Sequence, residues 1–172
     1  TRIGVAPDIV TLGKPMGNGH PVGAVVTRSD VAGELLEDPG VFSTFGGNPV
    51  SCAAALAVLD VIEDRDVLAH TLDVGAYLED GLTDLAATHD VVGDVRRRGL
   101  MVGVELVRDR SPWTPASDEA AAVINGLRRR RVLVGTTGAH GAVLKIRPPL
   151  VFGRDHADHL LNALDDTLSS LG

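Results

Sequence analysis

Asp8-Ile9-Val10-Thr11-Leu12-Gly13-Lys14-Pro15-Met16-Gly17-Asn18-Gly19-His20-Pro21 is the stretch on which the reading of the chain turns. Its apolar run over 9–12 and the next one over 22–27 have the length and residue types of short buried strands. Between them lies a loop of glycines and prolines carrying a single cation. Of the 16 lysines and arginines in the chain, only Lys14 and Lys145 are lysine. Lysine, unlike arginine, can give up its proton and act as an amine nucleophile when its surroundings lower its pKa. Glycines on either side let a ligand approach the backbone. These residues fit a Schiff-base lysine, and they fit a solvated turn lysine as well.

Two further segments carry chemistry. In Ser43-Thr44-Phe45-Gly46-Gly47-Asn48-Pro49-Val50-Ser51-Cys52-Ala53-Ala54-Ala55, hydroxyls and backbone N–H groups gather in a Gly-rich turn before a helix. That is a natural phosphate site, although Ser43 and Thr44 could simply cap the helix. In Lys145-Ile146-Arg147-Pro148-Pro149-Leu150 a guanidinium stands at the end of a strand whose backbone the prolines restrain. Arg147 could hold a carboxylate or phosphate through two parallel hydrogen bonds, or be a surface strand arginine.

Taken together and in this order, the three segments resemble the class III aminotransferases, pyridoxal-phosphate enzymes of fold type I. The likeness covers essentially the whole chain. It implies an α/β fold: residues 1–63 as the C-terminal remainder of the large cofactor-binding domain, and 64–172 as the small C-terminal α+β domain. It implies that Lys14 forms the Schiff base with the aldehyde of pyridoxal 5'-phosphate, then takes and returns the proton at the substrate Cα. Thr44, with Ser43 beside it, would bind the cofactor phosphate, in this family that of the partner subunit. A homodimer with shared active sites follows. Arg147 would bind the substrate carboxylate. The expected substrates are an amine or amino acid and an oxoacid.

A narrower likeness, on Asn48-Pro49-Val50-Ser51-Cys52, Thr114-Pro115-Ala116, Arg131-Val132-Leu133 and Val143 to Pro149, is to the alanine–glyoxylate aminotransferase-2-like subgroup. That subgroup includes phospho-lyases acting on ethanolamine phosphate or similar aminoalkyl phosphates. Both reactions begin with proton abstraction by the Lys14 amine. The family's pyridine-binding aspartate, ring-stacking aromatic and much of its phosphate cup lie upstream of this text. Thr1 to Asp8 match the middle of the large domain, so the chain reads as the C-terminal part of a longer protein, inactive alone. A non-catalytic association domain is the remaining alternative, against which intact Lys14, Thr44 and Arg147 argue.

Composition narrows the classes further. The chain has 172 residues, 44% hydrophobic and 23% charged, with aromatics at 3%, so a core must be built from aliphatic side chains. A formal charge of −7 argues against nucleic-acid or anionic-membrane partners. Arg128 to Arg131 end a helical pattern, where cations suit the helix dipole. Cys52 is the sole cysteine, which excludes an intrachain disulfide and a Cys-rich metal site, and it reads as a small buried residue. No apolar run approaches a membrane span and no signal peptide is visible, which points to a cytoplasmic setting. His140, His156 and His159 show no metal-ligand pattern. His20 could line the site or be merely structural, and Glu105, inside an apolar strand, could pair with an arginine.

The periodicity predicts a helix over 30–37, capped by Ser29 or Asp30 and ended by Asp38-Pro39-Gly40. A loop over 41–47 follows, then a helix over 49–63 that is apolar all round and therefore buried on all sides, either in the core or across a subunit interface. An amphipathic helix runs over 66–88. Strands follow within 91–107, turning at Arg98-Gly99, with Trp113 as a loop anchor. The last elements are a helix over 117–130 capped by Ser117 or Asp118, strands over 132–134 and 143–147, and a helix over 154–170.

Overall fold

A computed structural model describes residues 4–37 and 42–171, with 34–36 described by backbone alone. The chain divides into two compact units, Thr1–Arg65 and Asp66–Gly172.

In the first unit, β1 (Ile9–Leu12) and β2 (Ala24–Thr27) form an antiparallel ribbon with Ile9 opposite Thr27 and Leu12 opposite Ala24. Helix α1 covers Ser29–Glu37, with Ser29 and Asp30 inside its first turn and Asp30 paired to Arg28. The expected stop at residues 38–40 lies outside the described residues. Helix α2 (Pro49–Asp64) starts as Pro49 requires, with Asn48 as its N-cap: Asn48 accepts a hydrogen bond from Ser51 N at 3.0 Å.

The described residues of this chain do not themselves bury these elements. Val25 and Val26 are 64% and 56% exposed, and in α2 only Ala55 is buried, while Val50, Leu56 and Leu59 are exposed. Cys52 is exposed too. A two-stranded ribbon and a helix with apolar residues on every side need covering layers on several faces. The described residues supply few of them.

The second unit has its own core. Helix α3 (Val67–Thr88) leads to the hairpin β3 (Val92–Arg98) and β4 (Met101–Arg110), followed by β5 (Trp113–Pro115), helix α4 (Ser117–Arg129), β6 (Gly135–Thr137), β7 (Val143–Ile146) and helix α5 (Arg154–Ser169). The sheet order is β3-β4-β7-β6, all antiparallel, with β5 alongside β4. Strand alternation assigns the two faces. Val102, Val104, Leu106, Leu144 and Ile146 point to the buried face, where they pack with Leu78 and Leu82 of α3, Val123 and Leu127 of α4, and Leu160 and Leu164 of α5. Met101, Gly103, Glu105, Lys145 and their row neighbours take the other face.

Gly75 and Gly99 set how closely α3 meets the hairpin turn. Gly99 holds φ +58, which suits a residue without a side chain, and a Cβ on Gly75 would lie 2.2 Å from Gly99 O.

Three local expectations change. Trp113 is strand, not loop, and its indole donates to Glu105 at 3.1 Å. Neither Ser117 nor Asp118 caps α4: the N-cap is Ala116, without a side-chain bond, and Ser117 donates to His140 O at 2.7 Å. The strand expected at 132–134 lies at Gly135–Thr137, because Val132 N bonds back to Leu127 O at 2.9 Å and closes the end of α4. Arg131 takes φ +64 in that turn. Among the described residues no helix is long and apolar enough to cross a membrane.

Candidate functional site

The lysine loop is built by the way the chain leaves β1. Gly13 is fully extended, at φ −165 and ψ −167, and Lys14 to Gly17 then close one 3-10 turn in which Asn18 N donates to Pro15 O at 2.9 Å. Lys14 itself has φ +48. A left-handed backbone at a residue with a Cβ costs about 1–2 kcal/mol, so the loop around it must hold it there. Pro15 contributes by fixing the next φ. Gly17 is buried, and a Cβ on it would lie 2.6 Å from Val22 Cγ1. The Lys14 side chain is exposed.

The loop is tied to α2 by a chain of polar contacts that the sequence reading missed. His20 Nε2 and Ser51 Oγ are 2.8 Å apart, and Ser51 Oγ also accepts from Asn48 Nδ2 at 3.0 Å. With that acceptor role taken, the Ser51 hydroxyl can donate to His20. His20 N in turn donates to Gly17 O at 3.0 Å. His20 thus anchors the turn that carries Lys14 to the start of α2. The visible signal was Asn48-Pro49, an N-cap followed by a first-turn proline. A serine three residues on from that cap places its hydroxyl where a loop residue can reach it.

Ser43 and Thr44 lie in the exposed turn before that cap. Ser43 Oγ accepts from Gly46 N at 2.9 Å, and Asn48 Nδ2 donates to Phe45 O at 2.8 Å, so the turn is closed from both ends. The reading of Ser43 or Thr44 as the helix cap is corrected, because Asn48 fills that role. Thr44 is exposed.

Arg147 belongs to the second unit, one residue past the end of β7, and is exposed. It lines a groove with Arg98, Met101, Gly103 and Lys145 on the sheet face turned away from the helices. Next along that face, Arg96 lies 2.6 Å from both Asp94 and Glu105. The hydrogen bond from Arg96, stronger than that from Trp113, holds the Glu105 carboxyl below the usual carboxylate range, against partial burial, which raises it. Glu105 is therefore a structural partner of Arg96.

The first unit thus carries an exposed amine on a strained loop braced against a helix and a hydroxyl-bearing turn before that helix, and the second carries a guanidinium at a strand end. The comparisons give the class. The family model described as aminotransferase class-III matches residues 1–168, and the chain belongs to that family.

Among curated relatives, the chain is 48% identical over 167 residues to an alanine–glyoxylate aminotransferase 2 homolog 2, mitochondrial, of Arabidopsis thaliana, covering 97% of this chain and 35% of that protein. Among solved structures, it matches a phospholyase from Arthrobacter in complex with phosphoethanolamine, with a TM-score of 0.93 and 45% identity, covering 98% of this chain and 40% of that one. It also matches an amine transaminase from an uncultivated Pseudomonas species in the PLP-bound form, with a TM-score of 0.85 and 34% identity over 98% of this chain and 40% of that one. The fold is thus that of the C-terminal part of these enzymes, and the chain spans well under half the length of these relatives.

Proposed function

We propose that the protein is a pyridoxal-phosphate-dependent aminotransferase that moves an amino group between an amine or amino acid and an oxoacid, with Lys14 as its reactive lysine. The observation that carries this is the backbone of Lys14: φ +48 in a 3-10 turn, side chain exposed, with the turn braced to α2 through His20 and Ser51. Strain held at a residue of this chemistry is a mark of function more than of folding.

The residues present fit the cofactor. Lys14 offers a primary amine to its aldehyde. Ser43, Thr44 and the glycines before Asn48 offer hydroxyls and N–H groups to its phosphate. Pyridoxal phosphate, when bound, supplies the carbonyl that captures amines and the electron-withdrawing ring that weakens the Cα–H bond. The protein's own part is then positional. Lys14 Nζ would anchor the cofactor and, once displaced by the substrate amine, take and return the proton at the substrate Cα. Arg147 orients the substrate through its anionic end. The exposed apolar residues of α2, Val50, Leu56 and Leu59, support association as a homodimer, with Thr44 serving the partner's cofactor.

Lys14→Arg keeps the charge but not the nucleophile. It is expected to lower amino transfer by the full protein roughly a thousandfold or more, since proton transfer and covalent anchorage go together. Near-parental turnover by Lys14→Arg would sink the proposal.

The second reading, a phospho-lyase for aminoalkyl phosphates, is favoured by the cationic groove around Arg147 and by the likeness to the Arthrobacter enzyme. Release of inorganic phosphate from such a substrate without any oxoacid would decide for it. Strict dependence on an oxoacid would decide against it.

A further inference from the structure

Between Lys14 and Gly19 the backbone turns left-handed at Lys14 (φ +48), Asn18 (φ +46) and Gly19 (φ +106). Glycine takes that conformation freely and asparagine readily, whereas a lysine gains nothing from it. Lys14 is therefore the residue whose backbone has to be held by its surroundings. The loop's own backbone bonds run from Met16 N to Gly13 O, Asn18 N to Pro15 O and His20 N to Gly17 O. They close the turns without fixing the loop to anything beyond it. Among the described residues, the loop's side-chain hydrogen bonding consists of the contact between His20 Nε2 and Ser51 Oγ, at 2.8 Å. A Cβ on Gly17 would come within 3.3 Å of His20 Cβ, so the imidazole leaves the chain directly over the turn that follows Lys14.

Asn48 sets the direction of that contact. Its Oδ1 accepts from Ser51 N at 3.0 Å, which leaves Nδ2 turned to Phe45 O at 2.8 Å and to Ser51 Oγ at 3.0 Å. An amide nitrogen only donates, so Ser51 Oγ accepts there. Among the described residues, the acceptor within reach of the Ser51 hydrogen is His20 Nε2. Nε2 is then the bare nitrogen of the ring, and the proton sits on Nδ1. One polar chain thus runs from the hydroxyl-bearing turn at Phe45, through the cap of α2, to the turn that carries the lysine.

We infer that His20 and Ser51 are positioning residues for Lys14, their hydroxyl-to-imidazole bond holding the lysine turn in its left-handed form so that the amine is presented at one place relative to α2. The chemical consequence rests on the Lys14 reading; the bond itself rests on the geometry. Neither side chain has to touch a ligand, since both act through the backbone of the turn. Proton transfer falls steeply when its partners are misplaced. A turn released from α2 therefore loses rate more than it loses substrate binding.

The test uses the full protein loaded with pyridoxal phosphate, in four variants. His20→Leu removes the acceptor, Ser51→Ala removes the donor, a double variant removes both, and His20→Gln puts a carbonyl oxygen in place of Nε2. Amide hydrogen exchange across residues 14–20 is measured beside kcat and KM for amino transfer. His20→Leu and Ser51→Ala should each speed that exchange roughly tenfold, as loss of one directed hydrogen bond allows. Each should also lower kcat roughly tenfold or more, with KM within about threefold. The double variant should be no worse than either single one, because both break the same bond. His20→Gln should recover most of kcat. Parental exchange over β3, β4 and β7 shows that the variants are folded.

Faster exchange with parental kcat makes the bond purely structural and overturns the inference. So do losses that multiply in the double variant, or a His20→Gln protein no better than His20→Leu. Borohydride reduction of the parent keeps the two proposals apart. A pyridoxyl group on Lys14 in the parent, with variants indistinguishable from it in exchange and kcat, overturns the positioning role alone. No pyridoxyl group on Lys14 in the parent overturns the Lys14 reading and the positioning role with it.

Discussion

The two units of the chain spend similar aliphatic side chains in opposite ways. In Asp66–Gly172 a five-stranded sheet has one face covered by helices, and Leu78, Val104, Leu106 and Leu144 are wholly buried. In Thr1–Arg65 a ribbon and helix α2 leave Val25, Val26, Val50 and Leu56 more than half exposed. The first arrangement closes its own core; the second presents apolar surface that only other protein can cover. The difference shows that apolar pattern predicts an element but not what covers it. Lys14, proposed as the reactive lysine, sits on the unit that depends on neighbours, and Arg147 sits on the unit that does not.

The largest effect expected of this contrast is in stability. Leu78→Ala should destabilise the second unit by about 2–5 kcal/mol, as deletion of a fully buried leucine does. Leu56→Ala, at 59% exposure, should change the stability of this chain by about 0.5 kcal/mol or less. Urea unfolding can follow the second unit through Trp113, the sole tryptophan, and hydrogen exchange can follow α2. Comparable costs for the two changes would erase the distinction.

A smaller effect is set by pH. Because its hydrogen bond from Arg96 lowers the folded-state pKa of Glu105, Glu105 contributes stability that is fully present above its unfolded pKa. That contribution is lost as pH falls through the lower folded value. Glu105→Gln should therefore cost about 1 kcal/mol near neutrality and flatten the acid limb of the second unit's stability. A variant whose acid limb matches the parent's would remove Glu105 from the network.

Much of the second unit was legible in the sequence because its periodicities are clean. Val102, Val104 and Leu106 alternate with Met101, Gly103 and Glu105, and α3 repeats Val74, Leu78 and Leu82 at helical spacing. What escaped was decided by single backbone turns. Arg131 in a left-handed conformation sends Val132 back to Leu127, which displaces β6 to Gly135–Thr137. Burial in the first unit escaped for a different reason: the pattern of α2 records surfaces that need covering, and the covering is not written in the same stretch. Of the candidate site, the expectation for Lys14 rests on its rarity and its glycines. The brace from His20 to Ser51 and the row that joins Lys145 to Gly103 needed the fold, since contacts between distant segments and strand register have no local signature.

The most direct test of the account is borohydride reduction of the full protein with pyridoxal phosphate, followed by peptide mass mapping. The account predicts a reduced pyridoxyl group on the peptide containing Lys14 and none on the peptide containing Lys145. An adduct on Lys145, or none on Lys14 in a folded protein, would contradict it and leave the loop's strain without a catalytic role.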